Sequence, residues 1–349
     1  MSALMDAAPY ATRDDAAFLR DMVALSRHHL NGCAPYRAMW PEWHDAATPA
    51  DLPFVHVGAF KERLLATEAE GLRHLRVLQS SATTSGIASK VQLDERSSAL
   101  QACSAQAILV DWLGGHRRPL VVFDDPRSLR HRGDVSARLA AALSLRPLAS
   151  DMHFVLPDPA RPETVRWDAF DRACEGSDEL LVYGFTWILW LALGRAEVPE
   201  TTLQRLRRTR IRFVHSGGWK KLEAERVDRQ QFDAALLSRA GPGSSVLDYY
   251  GLVEQVGVIC PQCEAGARHL PRWADVVVRD PWTHAPIEQG GVGQLQFMNL
   301  LAWGAPYHSV LTEDLGEVLQ GDCRCGRHGR RFVLHGRIPK AETRGCANV

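Results

Sequence analysis

The chain has 349 residues, 46% of them apolar, so it can bury one large core or two packed ones without help from disulfides or a partner subunit. Lysine plus arginine and aspartate plus glutamate balance at 41 each, which removes the electrostatic reason to expect nucleic acid or an anionic membrane as a partner. Met1 to Tyr10 has no basic start with an apolar run, and no later segment is apolar for long enough to span a bilayer. The expected compartment is the cytoplasm, where the eight cysteines are thiols or metal ligands rather than disulfides.

In chain order, residues 14–30 carry Phe18, Met22 and Leu25 at helical spacing, and 97–113 carry Leu100, Cys103, Ala107 and Trp112 in a helix-forming background. Between these two helices the Ser/Thr-rich stretch reads as a loop. Apolar runs at 120–123, 153–156, 180–183 and 211–214 read as buried strands, separated by helical stretches such as 134–144 and 229–240. That alternation predicts an α/β domain with a mostly parallel sheet. From about residue 255 the strand-like segments 274–278, 293–299 and 332–335 are closely spaced and broken by Gly, Pro and Asp, which predicts a smaller β-rich subdomain. The expected division is 1–255 and 256–349.

Ser80 to Lys90 offers hydroxyls, backbone N–H groups and one cation, the chemistry of a phosphate cradle; by itself such a stretch is more often a solvent-facing linker. Neither Gly-x-Gly-x-x-Gly after a strand nor Gly-x-x-x-x-Gly-Lys-Ser/Thr occurs. Further segments stand around it in a fixed order. Leu52-Pro53-Phe54-Val55 with Phe60-Lys61 precedes the loop, and His215-Ser216-Gly217-Gly218-Trp219-Lys220-Lys221 follows it. Then come Asp248-Tyr249-Tyr250-Gly251-Leu252-Val253-Glu254-Gln255, Thr312-Glu313-Asp314-Leu315-Gly316 and Gly336-Arg337.

From about residue 28 to the C-terminus this order resembles the adenylate-forming superfamily, and within it the LuxE-type acyl-protein synthetases, which are related to phenylacetate-CoA ligase-like enzymes. Ser80 to Gly86 is similar to that branch's Ser-Ser-Gly-Thr-Thr-Gly signature. The resemblance implies a large adenylate-forming domain with a smaller subdomain, and a chain lacking the mobile C-terminal domain usual in the superfamily. It implies that Ser81, Thr83, Thr84, Ser85 and Gly86 handle the phosphates of ATP, with Lys90 opposing charge on the departing pyrophosphate. Gly217 and Gly218 would lie against adenine and Tyr250, followed by Gly251, would stack on it. Glu254 would help hold magnesium, and Asp314, with Arg337 nearby, would grip the ribose. Ala82 stands where the family has glycine, and Val253 where the wider superfamily has threonine.

Cys260-x-x-Cys263 and Cys323-x-Cys325 each put two thiolates within reach of one ion, and four sulfurs satisfy tetrahedral zinc. A structural zinc is expected there, with His269 able to replace one thiol; four unmetallated cysteines near turns remain the other reading. Cys346 reads as an inert tail thiol or, by resemblance, as the acyl acceptor of the family. Tyr183 to Trp190 is apolar enough to line an acyl pocket, although such a stretch is more often simply core. His28-His29, at the end of the first helix, suits a structural role beside the helix dipole.

The expected activity is therefore ATP-dependent activation of a carboxylic acid, a fatty acid being one candidate, as acyl-AMP with magnesium. Transfer to Cys346 as a thioester would follow, for delivery to a partner such as a reductase subunit or carrier. Two alternatives stay open: transfer to CoA, a carrier protein or an amine, and a non-catalytic zinc-containing subunit that binds a nucleotide or partner.

Overall fold

The computed structural model describes residues 5–80, 88–129, 137–287 and 290–338. The chain begins with α1 (Asp15–Gly32), capped by the Asp14 carboxylate accepting from Ala17 N–H, then α2 (Ala34–Met39), β1 (Val55–His56) and α3 (Ala59–Glu62). β2 (His74–Gln79) and β3 (Lys90–Asp94) form an antiparallel hairpin where the sequence reads as a loop. Asp94 ends that hairpin and accepts from Ser97 N–H, so one residue closes β3 and starts α4 (Glu95–Leu113).

The expected alternation follows: β4 (Arg118–Val122), α5 (Ala137–Ser144), β5 (Ala149–Phe154), α6 (Trp167–Cys174), β6 (Glu179–Phe185), α7 (Thr186–Leu189), α8 (Glu200–Leu206), β7 (Arg210–Ser216), α9 (Arg229–Leu237) and β8 (Ser245–Gly251). The strands lie in the order β5-β4-β6-β7-β8, all parallel, and β9 (Ile259–Pro261) closes the sheet in the antiparallel sense. Val121, Val182, Ile211 and Val214 are fully buried beneath the helices, as expected of continuous apolar strands covered on both faces.

A second sheet contains β10 (Arg268–His269), β11 (Ala274–Arg279), β12 (Gly293–Asn299), β13 (Ser309–Val318) and β14 (Arg331–Arg337) in the order β10-β14-β13-β12-β11. β1, from the first part of the chain, adds to it in parallel, Val55 opposite Val310. α4 sits between the sheets. Its Leu109 and Leu113 belong to the first core and its Ile108 to the second, so the helix is apolar on more than one face. No helix among the described residues is long and apolar enough to cross a membrane.

Candidate active site

In a parallel sheet with crossovers on both faces, the space beyond the carboxyl ends of the strands is where ligands collect. Four expected segments meet there. β7 ends in Ser216 and runs into Gly217-Gly218, while its neighbour β8 carries Tyr250 and Gly251; the register places Ser216 opposite Tyr249. Gly217 has φ +79°, a conformation strained for any residue with a Cβ. Its carbonyl accepts from the Thr186 hydroxyl at 2.7 Å, and Thr186 also contacts His215 Nδ1 at 2.9 Å. Burial lowers the His215 pKa to about 4, so the ring is neutral.

Tyr250 donates its hydroxyl to Asp314 Oδ2 at 2.6 Å, and Arg337 donates Nε–H to Asp314 Oδ1 at 3.1 Å. β13 and β14 bring this about directly, because Asp314 and Arg337 are register partners. The Tyr250 ring packs against Phe297, 5.6 Å between centroids, and edge-on to Phe332 at 6.1 Å. Burial would depress the Arg337 charge, yet Asp314 and Tyr250 beside it hold the pKa above its usual value.

Glu254 sits in the short 3-10 turn Val253–Gln255 and is only 4% exposed. Burial raises its pKa, opposed by a hydrogen bond from Ser89 and by the charge of Lys61. Ser89 lies at the base of the β2–β3 hairpin, where Ser80 N–H donates to Ser89 O at 3.1 Å and Ser89 N–H donates to Ser80 Oγ at 2.9 Å. The base of the hairpin thus lies beside Glu254 through Ser89. Lys90, the first residue of β3, is exposed. Ser81, Thr83, Thr84, Ser85, Gly86 and Cys346 lie outside the described residues. Sequence reasoning passed over Ser89, Thr186 and His215 as site residues and treated Lys61 only as part of a lead-in. Thr186 and His215 stand within quoted segments, but nothing in their spacing signals that they touch.

The cysteines assemble differently from the four-sulfur expectation. The ligand atoms of Cys263, His269, Cys323 and Cys325 all lie within 4.8 Å of one another. Cys263 Sγ is 3.8 Å from Cys323 Sγ, and Cys325 Sγ is 3.3 Å from His269 Nε2. Cys260 is not in the group. It lies within β9, its side chain buried in the second core among Val258, Trp273, Phe297 and Phe332, and burial pushes its thiol up to about 12. Cys263 lies beyond the strand in a turn, which frees it to face the other way. Of the segment 183–190, Tyr183, Phe185, Ile188 and Leu189 belong to the first core.

A parallel sheet whose carboxyl edge meets a second sheet is the fold of adenylate-forming ligases. The crystal structure of an open conformation of 2-hydroxyisobutyryl-CoA ligase with 2-HIB-AMP and CoA is similar over 93% of this chain and 74% of that one, with a TM-score of 0.65 and 14% identity. ATP-bound MatB from Rhodopseudomonas palustris is matched at a TM-score of 0.48 and 16% identity over 75% of this chain and 47% of its own. The chain belongs to the LuxE acyl-protein synthetase family, whose model matches residues 2–349. It is 26% identical over 111 residues to the long-chain-fatty-acid–luciferin-component ligase of Aliivibrio fischeri. That match takes in 31% of this chain and 29% of the ligase.

Proposed function

We propose that this protein is an ATP-dependent acyl-protein synthetase. A carboxylate oxygen of the acid attacks the α-phosphorus of ATP, the bond to the β-phosphate oxygen breaks, and pyrophosphate leaves with that electron pair. A thiolate, that of Cys346 in our reading, then attacks the acyl carbonyl; the bond to AMP breaks and a thioester remains for delivery to a partner such as a reductase subunit or carrier. The observation that carries this reading is the convergence of Tyr250, Asp314 and Arg337 with Glu254 and Ser89 at the carboxyl edge of the parallel sheet.

In this scheme Asp314, partnered by Tyr250 and Arg337, accepts the ribose hydroxyls, and Gly217-Gly218 lets the backbone approach the adenine. Ser81, Thr83, Thr84, Ser85 and Gly86, with Lys90, face the phosphates. Glu254 is the magnesium ligand: a buried carboxylate with a raised pKa is a hard oxygen donor whose charge a divalent cation would compensate. Magnesium supplies neutralisation of phosphate charge, so the protein's part is positioning and electrostatics. The acyl-activating part spans 1–255, and 256–349 carries all of the second sheet but β1, a structural zinc and the acceptor tail. The reducing cytoplasm suits both thiol roles.

ATP–pyrophosphate exchange over a panel of carboxylic acids, with magnesium present, tests the first half; silence with every acid overturns it. Intact mass spectrometry then reads a hydroxylamine-labile acyl adduct. Cys346→Ala is expected to abolish the adduct and keep the exchange, whereas an unchanged adduct would place the acceptor elsewhere.

A further inference from the structure

Two turns of the same design face each other where the sheets meet. In the first, between β9 and β10, Gly266 N–H donates to the Cys263 carbonyl at 2.9 Å. In the second, between β13 and β14, Gly326 N–H donates to the Cys323 carbonyl at the same 2.9 Å. Gly266 and Gly326 have φ of +80° and +79° with open space where a Cβ would sit, so backbone conformation and not crowding requires glycine at both. Each turn directs backbone N–H groups at its leading sulfur: those of Ala265 and Ala267 at Cys263, and that of Cys325 at Cys323.

The distances fit a metal better than a disulfide. Two thiolates on one tetrahedral zinc, each about 2.3 Å from the ion, stand about 3.8 Å apart, whereas disulfide sulfurs are about 2.05 Å apart. Cys263 and Cys323 are separated by 3.8 Å. The Cys325 to His269 separation of 3.3 Å is close to the shorter sulfur–nitrogen edge of the same tetrahedron.

We infer that Cys263, His269, Cys323 and Cys325, without Cys260, bind one zinc ion, and that this ion fixes the nucleotide half of the active site by joining the strands that carry Tyr250 and Arg337. The second clause rests on the nucleotide reading above. Three thiolates and an imidazole suit zinc and leave no open coordination position, so the ion is structural.

The connection runs along hydrogen-bonded strands. Cys263 follows β9, on which Cys260 is the register partner of Tyr250. His269 is the partner of Arg331 at the start of β14, and the far end of β14 sets Arg337 opposite Asp314. Arg268, beside His269, donates to Asp248 Oδ2 at 2.5 Å, two residues before Tyr250. An ion bound by the folded arrangement alone stabilises everything ordered with it.

Metal analysis of the full-length protein by plasma mass spectrometry, with ATP affinity by calorimetry, tests both clauses. Wild type should carry one zinc per chain. Cys323→Ser and His269→Ala should lose it and bind ATP at least tenfold more weakly, while Cys260→Ser should keep it. Loss of zinc from Cys260→Ser, or zinc-free wild type as purified with reductant and zinc supplied, overturns the ligand assignment. Zinc-free variants that bind ATP as wild type does overturn the coupling. If those variants do not fold, the same readings are taken on wild type stripped with a chelator and reloaded with zinc: recovered affinity supports the coupling and unchanged affinity on stripping refutes it. Zinc-loaded wild type that binds no ATP defeats the nucleotide reading and leaves the metal site standing.

Discussion

Glu254 is a carboxyl group in a place that disfavours its charge. Its folded pKa is raised, first by burial, so the stability it contributes is present at low pH and is lost as pH rises through that raised value. Burial opposes the ionised form, and the Ser89 hydrogen bond and the Lys61 charge favour it. Glu254→Gln keeps the shape and removes the charge. It should raise the thermal midpoint at pH 7 while lowering ATP–pyrophosphate exchange about 100-fold, the scale of losing one preorganised electrostatic contact. Exchange at the wild-type rate would take magnesium away from Glu254. Tyr250, Asp314 and Arg337 were readable as residues because their motif carries them. His269 was readable only as a substitute for a thiol, Ser89 only as one hydroxyl of the Ser80 to Lys90 stretch and Lys61 only as part of a lead-in, because what they meet is distant in sequence.

At the level of elements, the strands β4, β6 and β7 were plain in the sequence because burial on both faces makes them continuous apolar runs. β13 was not, since Thr312-Glu313-Asp314 interrupts its apolar pattern for the sake of the site. The β2–β3 hairpin was read as loop because β2 is largely exposed, with Leu75 54% accessible. A third kind of element is hidden altogether: the link from the end of β6 to the glycine pair after β7. Thr186 has one hydroxyl proton, and its 2.7 Å contact with the Gly217 carbonyl uses it, so His215 Nδ1 donates to Thr186. Thr186→Val preserves volume and leaves both partners unsatisfied in a buried place. The expected cost is about 1–3 kcal/mol in urea unfolding, with weaker ATP binding because Gly217-Gly218 is no longer held. Normal stability and affinity together would show that the backbone holds the turn unaided.

The described molecule is two six-stranded sheets and the β2–β3 hairpin, with α1 packed on the second sheet, and buried imidazoles fasten that helix. His29 Nε2–H donates to Ala302 O at 3.0 Å, so Nδ1 of the neutral ring accepts from the Thr67 hydroxyl at 2.7 Å; His308 meets Ser26 Oγ at 3.0 Å, with its ring 4.6 Å from that of His29. The expected cation at the end of α1 is thus corrected for His29: it points into the protein and is held neutral, its pKa driven well down by burial and then by His308 and His28. His308 is lowered to about 3 and His215 to about 4, burial being the main cause in each. The sign follows from linkage. A base whose folded pKa lies below its unfolded value of about 6.5 favours the fold fully above that value and progressively less as pH falls toward the folded one, at about 1.4 kcal/mol per unit per group. His308 and His215 together should lower stability by about 4 kcal/mol between pH 7 and pH 5, an order-of-magnitude figure, and His29 acts in the same direction. Urea midpoints measured across that range check this, and His308→Gln should flatten the dependence while lowering the plateau. A midpoint that holds steady from pH 7 to pH 5 in wild type would mean that these rings take up protons without opening the packing between α1 and the second sheet.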